Sequence, residues 1–212
     1  FNNKGFPNKK LEDWKFTDFR EIVSSNFNEL QIPEKKEKIE NLELLKDFEH
    51  NYIFLINGSL DSYNFSFEDQ NKIKIKNYEE NDLKHEINNN SLVNLNNALF
   101  TSGYSLEIED NYKFKKVVVI YNFFSNNIND KIINKKNKIV LGKNSELHLI
   151  EYTINKSKFI LNNYDKVVQE QDSILKTISL QKEKNDGYFH KFSKNKLAKG
   201  SKYSQLIFSS GL

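Results

Sequence analysis

The first fifty residues carry apolar side chains at helical spacing. A short helix is predicted between residues 11 and 30 by five of them: Trp14, Phe16, Phe19, Ile22 and Val23. A second helix is predicted after Pro33 by a stripe on one helical face: Ile39, Leu42, Leu45 and Phe48. Asp13 or Thr17 is expected to cap the first helix. Residues 1–50 are therefore predicted to form a helical N-terminal region.

The pattern then changes to a strand period. Residues 52–56 are continuously apolar and predict a strand that stops at the turn dipeptide Asn57-Gly58. Isoleucine alternates with lysine at residues 73–76, which predicts another strand. A short helix, capped by Ser91 and closed near Gly103, is predicted by Leu92, Leu95 and Leu99. Residues 51–103 are therefore predicted to form a mixed α/β region.

Residues 104–212 consist of short strand candidates separated by polar turns. The strand candidates are residues 105–108, 116–124, 138–141, 146–153, 159–161, 167–170 and 174–181. The turn clusters are residues 142–145, 155–156, 162–163, 171–172 and 185–187. Short strands at this spacing predict a mainly β region built as a sandwich, a barrel or a solenoid.

Two features of this β region favour a parallel β-helix. Its turns are polar corner clusters, whereas antiparallel hairpins favour tight two-residue Asn-Gly or Asp-Gly loops. In residues 147–150 and 174–178, alternate side chains would point into a coil interior, where each turn buries its face by stacking on the next. No strict residue-by-residue repeat is apparent, so a β-sandwich remains the alternative.

Composition and charge exclude several classes of function. Lys and Arg total 32 against 29 Asp and Glu, and Arg20 is the single arginine, so nucleic-acid binding is not expected. Cysteine is absent, which removes disulfides, thiolate nucleophiles and Cys-ligated metal sites. Neither a membrane-spanning apolar run nor a secretory signal is apparent, so a cytoplasmic location is expected. The chain starts at Phe1 without an initiator methionine, and we expect it to be part of a longer protein.

Catalytic and metal-binding patterns are weak. The histidines are His50, His85, His148 and His190. None has a second ligand three or four residues away on a predicted helix, and the pair His85-Glu86 lies in an Asn-rich stretch that predicts a loop. The sequence contains neither a Gly-x-Ser-x-Gly elbow nor a Gly-rich phosphate loop. We therefore predict no catalytic, cofactor-binding or metal-binding residue, and no enzyme.

Three stretches carry a family signal. Residues 5–18 match the opening Gly-Leu-Pro…Glu-Asp-Trp-(Lys/Arg)-Tyr-Thr at Gly5, Pro7, Glu12, Asp13, Trp14 and Thr17. Residues 95–108 match a Leu-Asn-x-Ala…Gly pattern at Asn96, Ala98 and Gly103. Residues 141–151 are similar to an early coil of a β-helix. Together these stretches resemble the SufB/SufD family of iron–sulfur cluster assembly proteins, and the lack of cysteine favours the SufD branch.

The resemblance implies a fold and a function. It implies an N-terminal helical region followed by a right-handed parallel β-helix, which would be incomplete at the C-terminal end of this chain. It also implies a non-catalytic scaffold of a SufBCD complex, with a SufB-like paralogue and a SufC-like ATPase as partners. The complex is expected to handle an iron–sulfur cluster, with ATP bound by the partner ATPase and no cofactor bound by this segment.

The chemistry of the matched positions is structural. Trp14, with Phe16 and Phe19, would anchor the N-terminal region by burying large apolar rings. Two other functions remain as alternatives to the scaffold: a β-helix enzyme that acts on polysaccharide, and a carbohydrate-binding β module. We call the nine matched positions of the first two stretches the motif residues.

Overall fold

A computed structural model describes residues 5–27, 44–78, 89–155, 157–182 and 187–210. The helices are a 3-10 turn at Glu12–Trp14, α1 (Phe19–Asn26) and α2 (Ser91–Leu99), with further 3-10 turns at Gln70–Lys72 and Asn126–Ile128. The strands are β1 (Asn51–Ile56), β2 (Ser59–Asn64), β3 (Ile73–Asn77), β4 (Tyr104–Ile108), β5 (Val118–Phe124), β6 (Ile132–Leu141), β7 (Glu146–Asn155), β8 (Ile160–Gln169), β9 (Ile174–Lys182), β10 (Tyr188–Leu197) and β11 (Lys202–Ser210).

The strands form two sheets that the chain visits alternately. Sheet I has the order β11-β9-β7-β5-β1-β2, and sheet II has the order β10-β8-β6-β4-β3. All pairings of β5 to β11, including that of β6 with β4 and that of β5 with β1, are parallel and join strands of successive turns. The chain is therefore a parallel β-helix of about three turns. The β-sandwich alternative is wrong, because the two antiparallel pairs, β1 with β2 and β3 with β4, lie only at the N-terminal end.

The last three turns share a period of 28 residues. Their corners repeat one hydrogen bond: the Ser145, Ser173 and Ser201 hydroxyls each donate at 2.7 Å to the carbonyl three residues earlier. The residue before each serine has a left-handed backbone, and it is Asn144, Asp172 or Gly200. Residues of these types adopt this conformation most readily. The corner repeat is thus carried by an identical serine and a shared backbone conformation, whereas the residue before the serine varies.

Several predicted strand boundaries in the β-helix are wrong. Residues 162–163 were predicted as a turn, but they lie in the middle of β8, which joins two predicted strands into one. Strand β6 likewise extends six residues before the predicted 138–141, and β10 was not predicted. The cause is shared: the inward-facing positions of these strands are polar, so they lack the apolar alternation that marks a strand.

The predicted helix caps also differ from those observed. Helix α1 begins after Asp18, whose carboxylate accepts from the Glu21 amide at 3.1 Å, so neither Asp13 nor Thr17 is the cap. Helix α2 is capped by Asn90 rather than by Ser91, which is its first residue. An amide or carboxylate oxygen serves this purpose as well as the predicted hydroxyl.

The second predicted helix lies mostly outside the described residues. Its predicted members Ile39 and Leu42 are not described, and Leu45 and Phe48 lie in a non-helical segment at residues 44–50. Leu45 packs on the outer face of sheet I, and its backbone amide donates to the Tyr121 hydroxyl at 3.0 Å.

Candidate functional site

A band of polar side chains crosses the interior of the β-helix. The inward-facing residues of β6 are Ile133, Lys135, Asn137, Ile139 and Leu141. Lys135 and Asn137 form a polar pair in the middle of this strand. The parallel register aligns Lys135 with Asn163 of β8, and Asn163 with Lys191 of β10. The same register aligns Asn137 with Asp165. An apolar cluster lies on each side of this band, so we call it the polar band.

The polar band contains a charged cluster of Lys191, Glu151 and Asp165. The Lys191 ammonium lies 2.8 Å from Glu151 Oε2 and 3.1 Å from Asp165 Oδ2. The three side chains keep only 20%, 18% and 12% of their surface exposed, in that order. Because β10 and β8 belong to sheet II and β7 to sheet I, the Lys191–Glu151 ion pair joins the two sheets across the interior, whereas the Lys191–Asp165 ion pair lies within sheet II.

Neutral side chains donate further hydrogen bonds to the two carboxylates. Asp165 Oδ1 accepts from the amides of Asn137 at 2.7 Å and Asn163 at 3.0 Å. Glu151 Oε2 also accepts from the Ser179 hydroxyl at 2.7 Å. Buried carboxylates need such partners, because an unsatisfied charge in a protein interior is costly.

Lys135 is the second cation of the polar band and lies deeper than Lys191. It is 3% exposed, and its ammonium donates to the Asn122 side-chain oxygen at 2.6 Å. Burial lowers the pKa of Lys135 to about 8, although the charges of Glu151 and Asp165 act in the opposite direction. A lysine with such a pKa is partly neutral at pH 8.

The charges of the cluster stabilise one another. Burial would raise the pKa of Glu151, but Lys191 and Lys135 outweigh it and lower that pKa to about 2. Burial likewise opposes the charged form of Lys191, yet the two carboxylates raise its pKa well above the usual value. Glu151 and Lys191 are therefore ionised at neutral pH. An ionised, fully hydrogen-bonded cluster of this kind fixes the relative position of the two sheets.

The motif residue Trp14 contacts the far end of the β-helix. Its ring lies 5.8 Å from that of Phe19 and 5.7 Å from that of His190, which belongs to β10. Phe27, at the end of α1, similarly packs 6.0 Å from Tyr188. The N-terminal segment therefore covers the outer face of sheet II at the start of its last strand.

The motif residue Asn96 lies on the same face as Trp14. Its side-chain amide donates to the carbonyls of Lys135 at 2.8 Å and Asn162 at 2.7 Å, which tie α2 to β6 and β8. The Asn162 side chain in turn lies 2.9 Å from His190 Nδ1. The structure thus links Asn96 to Trp14 through Asn162 and His190. These contacts hold helical segments on sheet II.

Gly103 and Pro7 have backbone functions. Gly103 has a φ of +132°, and a Cβ atom there would overlap the Lys136 carbonyl, so only glycine fits. The Pro7 carbonyl accepts hydrogen bonds from the Phe19 amide at 3.1 Å and the Arg20 amide at 3.3 Å, so it binds the first turn of α1.

The other motif residues take part in no shared site. Gly5 has a φ of +62° with open space around it, and Glu12 is exposed beside Lys15. Ala98 and Thr17 are also exposed, and Asp13 lies in the 3-10 turn at Glu12–Trp14.

Three of the four histidines are described, and they lie apart. His50 Nε2 lies 2.8 Å from the Tyr121 hydroxyl, His148 is 3.0 Å from Glu146 on the outer face of sheet I, and His190 lies beneath Trp14. His85 is outside the described residues. Within the described ranges, no three His, Asp or Glu side chains converge in a way that could hold a metal ion.

A third buried carboxylate, Glu68, was not predicted from the sequence. It accepts hydrogen bonds from the Tyr112 hydroxyl at 2.7 Å, the Asn51 amide at 2.9 Å and the backbone amides of Lys115 and Lys116 at 3.0 Å each. Burial would raise the pKa of Glu68, but these hydrogen bonds together lower it. Glu68 joins the loop after β2 to the loop before β5.

The polar band had a weak signal in the sequence. Lysine and asparagine interrupt β6 and β8 at positions that are 28 residues apart.

In the part of the chain that the structure describes, no helix has the length and apolar character needed to cross a bilayer. Comparison with family models, with curated proteins and with solved structures finds no match to this chain.

Proposed function

We propose that this chain is a non-catalytic scaffold of a SufBCD-type complex for iron–sulfur cluster assembly. The observation that carries the proposal is the parallel β-helix with Trp14 and Asn96 holding helical segments on its side. This is the architecture that the resemblance in residues 5–18 and 95–108 implies. The cluster would be cargo of the complex, and a SufC-like ATPase would bind the ATP.

The outer face of sheet I supports a scaffold that binds protein. Its outward positions form apolar rows across the sheet, and one row consists of Phe54, Tyr121, Tyr152, Leu180 and Phe208. Near β1 this face is covered by residues 44–50, but Leu206 and Phe208 of β11 are 50% and 55% exposed. Contiguous exposed apolar surface marks protein–protein contacts, so we assign this face to the SufB-like subunit.

Co-purification tests the proposal. The tagged parent chain is co-expressed with its SufB-like and SufC-like subunits, and we expect both to co-elute in fixed stoichiometry. Leu206→Lys places a charge in the apolar face and should deplete the SufB-like subunit. Tyr63→Lys is the matched control, because Tyr63 is equally exposed, at 50%, but lies on β2 at the other edge of sheet I.

Two results would contradict the scaffold. One is a folded chain that recovers neither subunit. The other is retardation of the chain in polysaccharide-containing gels, which would favour the carbohydrate-binding alternative. Equal depletion by Leu206→Lys and Tyr63→Lys would contradict only the assignment of the interface.

A further inference from the structure

The outer face of sheet II carries a row of stacked lysines. Lys138 of β6 pairs in register with Lys166 of β8, which pairs with Lys194 of β10. These three residues, which we call the lysine row, run along the axis of the β-helix. Through Ser105 of β4 the row continues to Lys76 of β3. The sequence alone does not reveal this row, because its residues are a full turn of 28 residues apart in the chain.

The row lies on a strongly basic surface. The surface lysines at outward positions of sheet II are Lys74, Lys76, Lys138, Lys166, Lys194 and Lys196. Glu107 is the one carboxylate at an outward position of the described strands of this sheet, and it pairs with Lys138 at 3.0 Å. No carboxylate of the described residues lies within ion-pair distance of Lys166.

Folding alone does not account for the lysine row. Neighbouring strands lie about 4.8 Å apart, and like charges directly opposite each other destabilise a sheet. Only two positions hold the same residue in all three 28-residue turns, the corner serine and this lysine. The serine has a structural function, since Ser145, Ser173 and Ser201 close the corners. The lysine places three like charges side by side on the outer face of sheet II, and an acidic ligand would offset them.

We propose that the lysine row binds an acidic α-helix of a partner protein, laid along the axis of the β-helix. Carboxylates on one face of an α-helix recur about every 5.4 Å, close to the spacing of about 4.8 Å between the lysines. Over three lysines the two spacings differ by only about 1 Å, which flexible lysine side chains absorb. Charge complementarity supplies the specificity.

An acidic helix fits this surface better than a nucleic acid. Single-stranded nucleic acids bind by stacking bases on exposed rings, but the two rings beside the row, Tyr164 of β8 and Phe192 of β10, pack on each other with centroids 5.7 Å apart, and Tyr164 is 5% exposed. Arginine, the preferred residue for bidentate phosphate contacts, occurs in this chain only as Arg20, in α1. The inference does not rest on the SufBCD proposal, which uses the opposite sheet.

Fluorescence anisotropy tests the lysine row. The first probe is a labelled helical peptide with glutamates at every third or fourth position on one face, and the second has the same composition with the glutamates spread around the helix. We expect the one-sided peptide to bind more tightly. The double variant Lys166→Glu/Lys194→Glu should weaken its binding about tenfold.

The matched control reverses two lysines on the other sheet. Lys176 and Lys202 are exposed outward residues of β9 and β11, so Lys176→Glu/Lys202→Glu makes the same change in net charge. We expect this variant to bind the one-sided peptide as the wild type does, apart from a small effect of net charge. If Lys166→Glu/Lys194→Glu fails to fold, the corresponding glutamine variant should still weaken binding about threefold.

Three outcomes would overturn the inference. Equal loss of binding in the two double variants would show an effect of net charge alone, and so would equal binding of the two peptides. Tighter, row-dependent binding of a dT20 oligonucleotide would assign the surface to nucleic acid instead.

Discussion

The charged cluster of the polar band predicts a large, pH-dependent effect of Lys191→Met. Methionine keeps the length of the lysine stem but removes the ammonium that lies 2.8 Å from Glu151 and 3.1 Å from Asp165. Two carboxylates then remain in the interior without their main counter-ion. Breaking a buried ion pair on one side costs about 3 to 5 kcal/mol. The cluster keeps some solvent contact, so we expect the free energy of unfolding to fall by about 3 kcal/mol at pH 7.

The sign of the pH dependence follows from Glu151. In the wild type, its pKa of about 2 contributes stability that is present above the unfolded value and is lost only as the pH falls through 2. Without Lys191, burial is opposed less and raises the pKa of Glu151, so this carboxylate takes up a proton in the folded state at a higher pH. The loss caused by Lys191→Met should therefore be smaller at pH 5 than at pH 7.

Urea unfolding followed by far-UV circular dichroism measures this effect. Lys176→Met is the matched control, because Lys176 is exposed on β9, and it should change stability by less than about 0.5 kcal/mol. Adding Glu151→Gln to Lys191→Met should recover part of the loss, since it removes one unpaired charge. A loss below about 1 kcal/mol, or an equal loss at pH 5 and pH 7, would refute the reasoning.

Two further predictions concern groups outside the polar band. Glu68→Gln replaces one acceptor oxygen by an NH2 group, which would face either Tyr112, the donor to Oε2, or Asn51, a donor to Oε1, so we expect about 2 kcal/mol of destabilisation in urea unfolding. A loss no larger than that of the exposed control Glu170→Gln would contradict it. Burial lowers the pKa of His190 to about 4, so its contribution to stability is complete above the unfolded value of about 6.5 and decreases as the pH falls toward 4. The single tryptophan, which contacts His190, should shift its emission to the red over this range in the wild type but not in His190→Asn, and identical transitions would rule this out.

The sequence determined the class of the fold but misplaced several strands within it. Apolar alternation and polar corners favoured a parallel β-helix over a β-sandwich, because each turn must bury one face on the next, and the family resemblance implied the same fold. Asn162 and Asn163 were predicted as a turn because asparagine is typical of turns. In the structure both are buried in β8, where Asn163 binds Asp165 and Asn162 lies beside His190. Local propensity does not show that a polar side chain has partners one turn away.

The motif residues were predicted to be structural, and their partners came only from the tertiary structure. Trp14 was expected to pack with Phe16 and Phe19, and it does contact Phe19. Phe16 is instead 87% exposed, and the other ring against Trp14 is that of His190. No sequence signal links two residues so far apart, because that contact depends on where the N-terminal segment crosses sheet II.

What the sequence alone determined was local: the strand period, the corner residues and the lack of thiol chemistry. What only the tertiary structure decided was everything that the 28-residue turn brings together. The ion pairs of Lys191 and the row of Lys138, Lys166 and Lys194 both depend on it. The physical reason is that stacking in a β-helix sets side chains about 4.8 Å apart that are a full turn apart in the chain, and spacing along the sequence does not reveal that register.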